Sequence, residues 1–179
     1  MSDLGDEHYF ERRRERRSDG FDAGLLREPL SALPVQRAIV LAPDASVTDA
    51  MRAMQREHRG CVLITNDGTS RSELLGIFTE RDVLFRIVDR GRNPASLPIG
   101  EVMTKDPEAL SVHATVAYVL NKMSVGGFRH VPVVDDDHRP ACVISVRDVV
   151  NFLVDAFPRE VLNLPAEPGV APVRAREGA

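Results

Sequence analysis

Hydrophobic residues recur with a helical period at two places in the chain. Apolar side chains spaced i, i+3, i+4 and i+7 are typical of an amphipathic helix. The two stripes are Val47, Ala50, Met51 and Met54, and Val116, Val119, Leu120 and Met123. They lie 69 residues apart, from Val47 to Val116, and each follows a residue suited to cap a helix, Ser46 or Thr115. The chain is therefore predicted to contain an internal repeat.

Short apolar runs follow each predicted helix and are too short to be helices themselves. The paired runs are Cys61–Ile64 with Leu74–Phe78, and Val131–Val134 with Ala141–Ile144. Turn-forming residues separate the members of each pair, "NDGTSRSE" in the first copy and "DDDHRP" in the second, so each pair is predicted to be a β-hairpin. Each copy begins with an extended stretch, at residues 38–42 and 108–112.

A second apolar stripe closes each copy. It is formed by Val83, Leu84, Ile87 and Val88, and by Val149, Val150, Leu153 and Val154. The spacing between copies changes from 69 residues at the first helix to 70 at the hairpin and 66 at the second helix, from Val83 to Val149. We assign the difference to one extra residue at "SVGGF" and a hairpin turn four residues shorter in the second copy.

The predicted fold is α/β, with two β-α-β-β-α repeats. Neither copy buries much surface alone, so the two are expected to pack about a pseudo-twofold axis. The boundaries predicted from the sequence are an N-terminal arm at 1–28, repeats at 29–92 and 93–157, and a C-terminal tail at 158–179. We expect the arm to be helical or flexible and the Pro- and Ala-rich tail to be flexible.

Composition narrows the classes of function. The 179 residues carry a formal net charge of −4, which opposes broad binding to nucleic acid or anionic membrane. The arm contains five arginines within residues 12–17, but residues 1–28 hold more carboxylates than arginines. No apolar run could span a bilayer or serve as a signal peptide, so a cytoplasmic location is expected. The two cysteines, Cys61 and Cys142, are predicted to be buried thiols.

Two similar segments carry the candidate chemistry. "GIFTERD" ends with Thr79 and Asp82 in the hydroxyl-x-x-Asp pattern, and "CVISVRD" ends with Ser145 and Asp148. Both fit a helix N-cap with an acidic residue three positions later, which alone explains the pattern. However, an arginine, Arg81 or Arg147, lies in each first turn, where a cation opposes the helix dipole. A bound anion would reverse that effect, so cap and ligand site are compatible interpretations.

The order of these elements, with "RHVPVVD" at residues 129–135, resembles a pair of cystathionine-β-synthase (CBS) domains, called a Bateman module. The resemblance covers about residues 30–157. It implies a non-catalytic regulatory module that binds AMP, ADP or ATP, or NAD or S-adenosylmethionine, in two clefts between the repeats. It further implies ribose acids at Asp82 and Asp148, phosphate-binding hydroxyls at Thr79 and Ser145, and basic partners at Arg59, Arg129 and neighbouring His130. Arg81 and Arg147 complete the predicted site.

The first copy departs from the pattern, because Val62 and Gly60 stand where we align Pro132 and His130. The Ser145 and Asp148 site is therefore the first to test. We place adenine against the first strand of a repeat, at residues 39–41 or 109–110. The resemblance also implies a homodimer and an unidentified effector protein. The alternatives are a ligand-free interaction module and nucleic-acid binding through the arginine-rich arm.

Other motifs favour structural roles. Asp135, Asp136, Asp137 and His138 could imitate a metal site, but their place between two strands favours a hydrogen-bonded turn. His113 has no acid or nucleophile in register, and Ser145 has no assigned histidine partner, so neither indicates catalysis. The paired glycines at 126 and 127 lack the Gly-rich spacing of a phosphate-binding loop.

Overall fold

A computed structural model describes residues 23–35 and 37–158 of the chain. Most of the predicted N-terminal arm and C-terminal tail lies outside the described residues. Within them, the chain forms a four-stranded sheet and a three-stranded sheet. Each sheet is flanked by the helices of its own repeat.

The first repeat builds the larger sheet. Its elements are β1 (Val40–Leu41), α1 (Val47–Arg56), β2 (Cys61–Thr65), β3 (Leu74–Thr79) and the short helix α2 (Glu80–Asp82), which continues as a π-helix (Val83–Val88). The strand β1 is parallel to β2, and β2 forms an antiparallel hairpin with β3. A further strand, β4 (Thr104–Lys105), pairs with the outer edge of β3. No sequence pattern predicted β4.

The second repeat has the same order of elements. They are β5 (Leu110–Ser111), α3 (Val116–Gly126), β6 (His130–Val134), β7 (Pro140–Ser145) and α4 (Val146–Ala156). The strand β5 is parallel to β6, and β6 forms an antiparallel hairpin with β7. The predicted β-α-β-β-α order is confirmed. The leading strands β1 and β5, however, have only two residues each.

Strand pairing corrects the predicted alignment of the two hairpins. Cys61 pairs with Thr79, and His130 pairs with Ser145, so His130 is equivalent to Cys61 rather than to Gly60. The offset stays at 69 residues through these strands, from Cys61 to His130. The distance from the start of the first helix to the start of the next strand is the same in both repeats, so there is no extra residue at "SVGGF"; α3 only extends one residue further than α1, with 11 residues against 10. The predicted offset of 70 was therefore wrong.

Three consequences follow from the corrected alignment. Pro132 is equivalent to Leu63, and Arg129 is equivalent to Gly60, so Arg59 and Arg129 do not occupy matching positions. The β6–β7 connection, residues 135–139, is three residues shorter than the β2–β3 connection, residues 66–73, and not four. From the opening segment to the start of the closing helix, the repeats differ in length at this turn.

The opening segment of each repeat crosses to the other repeat. Leu30–Ala32 and Ile99–Glu101 form matching 3-10 turns. Leu30 N donates to Ala114 O at 3.3 Å, and Ile99 N donates to Ala45 O at 2.8 Å, at equivalent positions before α3 and α1. These reciprocal contacts are what a pseudo-twofold arrangement of the repeats requires.

Residues of each opening segment also pack in the hydrophobic core of the other repeat. Leu30 and Leu33 pack in the core of the second repeat, and Leu97 and Ile99 pack in the core of the first. A third cluster joins the two sheets and contains Cys61, Leu63, Leu74, Ile77, Val134 and Val143. Apolar surface from both repeats is thus buried at a common centre, which stabilises the pair as one unit.

The stripe that closes each repeat is only partly buried. Ile87 is 2% exposed, whereas Leu84 and Val88 are 60% and 66% exposed. This segment is a π-helix, whose turn is wider than that of an α-helix. In α4, Val149 is buried but Val150 is 49% exposed. Leu84 and Val150, which are equivalent positions of the two stripes, are thus exposed in both repeats.

Candidate functional site

Two clefts lie between the repeats, each beginning at the helix start that follows a hairpin. The first, which we call the Thr79 cleft, has a volume of about 510 Å³ and contains Thr79, Arg81 and Asp82 with Arg129 and His130 of the second repeat. Its volume is within the usual range for ligand sites.

The second, the Ser145 cleft, has a volume of about 980 Å³ and contains Ser145, Arg147 and Asp148 with Arg59 of the first repeat. Arg129 and His130 also line this cleft. All nine residues predicted as site residues thus line one cleft or both. The Ser145 cleft also contains Ile39, from the predicted adenine slot, whereas residues 109–110 do not line the Thr79 cleft.

Both hydroxyl-x-x-Asp segments form helix caps. Asp82 Oδ2 accepts hydrogen bonds from Thr79 N at 2.9 Å and Thr79 Oγ1 at 2.7 Å. Asp148 Oδ2 accepts from Ser145 N at 2.7 Å and Ser145 Oγ at 2.8 Å. Each hydroxyl oxygen accepts in turn from the aspartate N–H, which completes a capping box. The capping interpretation is confirmed, and one oxygen of each carboxylate is committed to it.

Four arginines line the Ser145 cleft, namely Arg37, Arg59, Arg129 and Arg147. Within the described part of the chain, none of their guanidinium groups forms an ion pair or a hydrogen bond. The carboxylates of this cleft are Glu57, Glu80 and Asp148. Uncompensated guanidinium groups are suited to bind phosphate through their planar fork of N–H donors.

The Thr79 cleft has the opposite balance. Its carboxylates are Glu80, Asp82 and Glu108, against the guanidinium groups of Arg81 and Arg129. Glu108 forms an ion pair with Lys122 and Asp82 forms one with Arg86, both cations lying outside the cleft lining, which reduces the effect of these two carboxylates. Even so, the Thr79 cleft offers a phosphate fewer unpaired cations than the Ser145 cleft does.

The two clefts meet at a common centre formed by Gly60, Glu80, Arg129 and His130, which line both. The imidazole of His130 packs against Gly60: a Cβ atom at residue 60 would lie 2.8 Å from His130 Cε1 and Nε2. Burial lowers the pKa of His130, against smaller opposing effects of Glu80 and Asp148. The imidazole is therefore held mainly in its neutral form.

The remaining candidates have structural roles. Asp135 Oδ1 accepts from Asp137 N at 3.0 Å and from Arg139 N at 2.8 Å, which forms the turn expected between β6 and β7. His113 is exposed and lies 3.4 Å from Asp136. Among residues 23–35 and 37–158, no cluster of potential ligands is suited to hold a metal ion.

Both thiols are poorly placed for reaction. Burial raises the pKa of Cys61 to about 12 and that of Cys142 to about 11. A thiolate is the reactive form of cysteine, so both residues act as apolar side chains. This agrees with the prediction of buried thiols for Cys61, while Cys142 is half-buried.

Sequence reasoning missed several residues that line the clefts. Arg37 belongs to the opening segment of the first repeat, which has no periodic pattern. Glu80 lies next to Arg81 at a helix start, so only its position between the clefts distinguishes it. Gly60 was noted only as a departure from the pattern, and its place under His130 depends on tertiary packing.

Comparison with known proteins agrees with the repeat architecture. A family model described as "CBS domain" matches residues 30–89 and 99–155. CBS domain-containing protein CBSCBSPB1 of Arabidopsis thaliana is 30% identical over 146 residues, which cover 82% of this chain and 25% of the relative. The chain thus spans about a quarter of the length of this relative.

Solved structures show the same fold. The CBS-domain containing protein ATU1752 from Agrobacterium tumefaciens is 30% identical with a TM-score of 0.56, covering 65% of this chain and 88% of that protein. The CBS domain pair of protein MJ0100, in complex with 5′-methylthioadenosine and S-adenosyl-L-methionine, is 22% identical with a TM-score of 0.58, covering 66% and 94%. In the described part of the chain, no helix has the length and hydrophobicity of a membrane span.

Proposed function

This chain belongs to the CBS domain family, and from that premise we propose that it is a non-catalytic regulatory module that binds an adenine nucleotide between its repeats. The Ser145 cleft is the proposed site. AMP, ADP and ATP are the proposed ligands, with NAD and S-adenosylmethionine as adenosyl alternatives. The module is expected to act in the cytoplasm through an effector protein.

The observation that carries this proposal is the charge arrangement of the Ser145 cleft. Arg37, Arg59, Arg129 and Arg147 line it without an ion-pair partner among the described residues. Arg147 is also in the first turn of α4, where an unneutralised cation opposes the helix dipole. A phosphate would neutralise these charges and accept hydrogen bonds from the guanidinium groups.

The ribose and the base have suitable partners in the same cleft. Asp148 Oδ1 accepts no hydrogen bond from the residues that the structure describes, so it could accept from ribose hydroxyls while Oδ2 keeps the cap. Ile39, Met54 and Val143 supply apolar surface for adenine. The MJ0100 structure, which contains two adenosyl compounds, supports this class of ligand.

Ligand binding would act by linkage. A nucleotide that contacts both repeats stabilises the arrangement in which Arg59 and Asp148 face the same cleft, and a partner protein could distinguish that arrangement from others. Nucleic-acid binding through the arginine-rich arm remains an alternative, but residues 12–17 lie outside the described residues. No contact among the described residues bears on it.

Thermal unfolding with AMP, ADP, ATP, NAD and S-adenosylmethionine tests the proposal. At a hundredfold excess over its dissociation constant, a ligand stabilises the folded chain by about 2.7 kcal/mol. We expect Asp148→Ala to remove most of the ligand-dependent rise in Tm. This substitution removes the carboxylate that faces the ribose.

The matched control is Asp49→Ala, because Asp49 is also the third residue of a capped helix and its Oδ2 accepts from Ser46 Oγ at 2.7 Å. Asp49 lines neither cleft. Asp49→Ala should lower the Tm of the free protein yet keep the ligand-dependent rise. The proposal fails if no compound raises the Tm, or if Asp148→Ala responds as fully as Asp49→Ala does.

A further inference from the structure

The two proposed ribose acids differ in what holds their second oxygen. Asp82 and Asp148 cap their helices through Oδ2 with nearly the same distances. Asp82 Oδ1, however, lies 3.0 Å from Arg86 Nε in an ion pair. Asp148 Oδ1 has no such partner among the described residues. Only the acid of the Thr79 cleft is thus fully engaged by the protein itself.

Arg86 is held in place by its other two nitrogens. Arg86 Nη1 donates to Val102 O at 2.6 Å, and Arg86 Nη2 donates to Thr104 Oγ1 at 2.9 Å. Two nitrogens of the guanidinium group thus donate hydrogen bonds, while the third, Nε, forms the ion pair with Asp82. The side chains of Arg86 and Asp82 are only 35% and 14% exposed, so water weakens their charge-assisted contact less than it would at the surface.

The second repeat has no counterpart of this ion pair. Thr79 is equivalent to Ser145, so the residue four positions after the aspartate is Arg86 in one copy and Phe152 in the other. Phe152 is 4% exposed and packs in the core of the second repeat. The two clefts therefore differ in chemistry, because the equivalent positions are occupied by Arg86 and Phe152 and only Asp82 has an ion-pair partner.

From these contacts we propose that Arg86 is a specificity-determining residue that keeps ribose from Asp82 and so limits each chain to one nucleotide, bound in the Ser145 cleft. This inference rests on the proposed function. Ribose hydroxyls would have to displace the guanidinium group from Asp82 Oδ1, whereas Asp148 Oδ1 has no partner among the described residues. The Thr79 cleft also offers phosphate only the guanidinium groups of Arg81 and Arg129, whereas four arginines line the Ser145 cleft.

Isothermal titration of the intact protein with AMP and, separately, ATP tests the inference. We expect one ligand for each wild-type chain. Arg86→Met keeps the aliphatic stem but removes the guanidinium group, and it should raise the stoichiometry to two. The double variant Arg86→Met with Asp148→Ala should bind one ligand, in the Thr79 cleft. Arg86→Gln, a more conservative change, should give the same second site if Arg86→Met does not fold.

Arg92→Met is a matched control. Arg92 donates to Glu101 at 2.9 Å, and its side chain has the same 35% exposure as Arg86, but it lines neither cleft. It should leave the stoichiometry at one.

The inference is overturned if the wild-type chain binds two nucleotides, or if the folded Arg86 variants still bind one. In both cases the proposed function survives. If neither the wild type nor the Arg86 variants bind AMP or ATP, both proposals fail.

Discussion

At the scale of single residues, the position of His130 between the clefts has a consequence for stability. Its imidazole packs on Gly60 and is flanked by Glu80, Asp148 and Arg129. Burial lowers its pKa in the folded chain below the value of about 6.5 expected in the unfolded chain. Between these two values the unfolded chain binds more protons, so the free energy of unfolding must decrease as the pH falls.

We therefore expect the contribution of His130 to the free energy of unfolding to be complete above about pH 6.5. It should be lost as the pH falls through the lowered pKa of His130. Urea unfolding of wild type and His130→Gln between neutral and mildly acidic pH measures the effect. The variant should show a flatter profile. His113→Gln, which changes a side chain that is 75% exposed, should retain the wild-type profile, and equal slopes for all three proteins would contradict the prediction.

The residues of the site were predictable where a local motif marks them. The caps at Thr79 and Ser145 follow from the hydroxyl-x-x-Asp spacing, and the resemblance pointed to Arg59 and Arg129. The ion pair of Asp82 with Arg86 has an i, i+4 signal in the sequence. It was missed because this segment was interpreted only from its apolar residues. Arg37 carries no such signal, because only tertiary packing brings the opening segment to the cleft.

At the scale of elements, the closing helices leave apolar faces uncovered. Leu84, Phe85 and Val88 of the π-helix are 60%, 61% and 66% exposed, and Val146 and Val150 of α4 are 42% and 49% exposed. Contiguous exposed apolar surface on helices commonly marks a protein interface. Leu84 and Phe85 line the Thr79 cleft and Val146 lines the Ser145 cleft, so we propose that a second copy of the chain covers Val88 and Val150.

The substitutions Val88→Asp and Val150→Asp together should convert a dimer to a monomer, because each places a carboxylate within apolar surface. Neither residue lines a cleft. Sedimentation velocity measures the change. Ser70→Asp, in the exposed β2–β3 connection, adds the same charge elsewhere and should leave the mass unchanged. A wild-type monomer, or a double variant that remains dimeric, would refute the assignment.

Elements were predictable in type and order, but not in register or local geometry. The hairpins and the first helix of each repeat follow from periodicity, as α1 and α3 confirm. The register of β6 was missed because the apolar run begins at Val131, whereas the strand begins one residue earlier, at the polar His130. The π-helix was also missed, since its apolar residues fit an α-helical stripe equally well in the sequence.

At the scale of the whole molecule, each repeat completes the core of the other. The pairing of two repeats was predictable because each copy is too small to bury enough surface alone. The crossing of the opening segments was not, since Leu30 and Ile99 lie in stretches of the predicted repeats that carry no periodic pattern. The matching contacts before α1 and α3 make the stability of one repeat depend on residues that precede the other.

This exchange predicts that a core substitution acts across the sequence. Leu30 is 3% exposed in the core of the second repeat, and Ile99 is fully buried in the core of the first. Leu30→Ala and Ile99→Ala should each lower the free energy of unfolding by about 2 to 5 kcal/mol. Amide hydrogen exchange should accelerate first in β6 for Leu30→Ala and first in β2 for Ile99→Ala. Ser31→Ala, at an exposed neighbouring position, should change neither strand, and acceleration of β2 before β6 in Leu30→Ala would show that the opening segment does not support the second repeat.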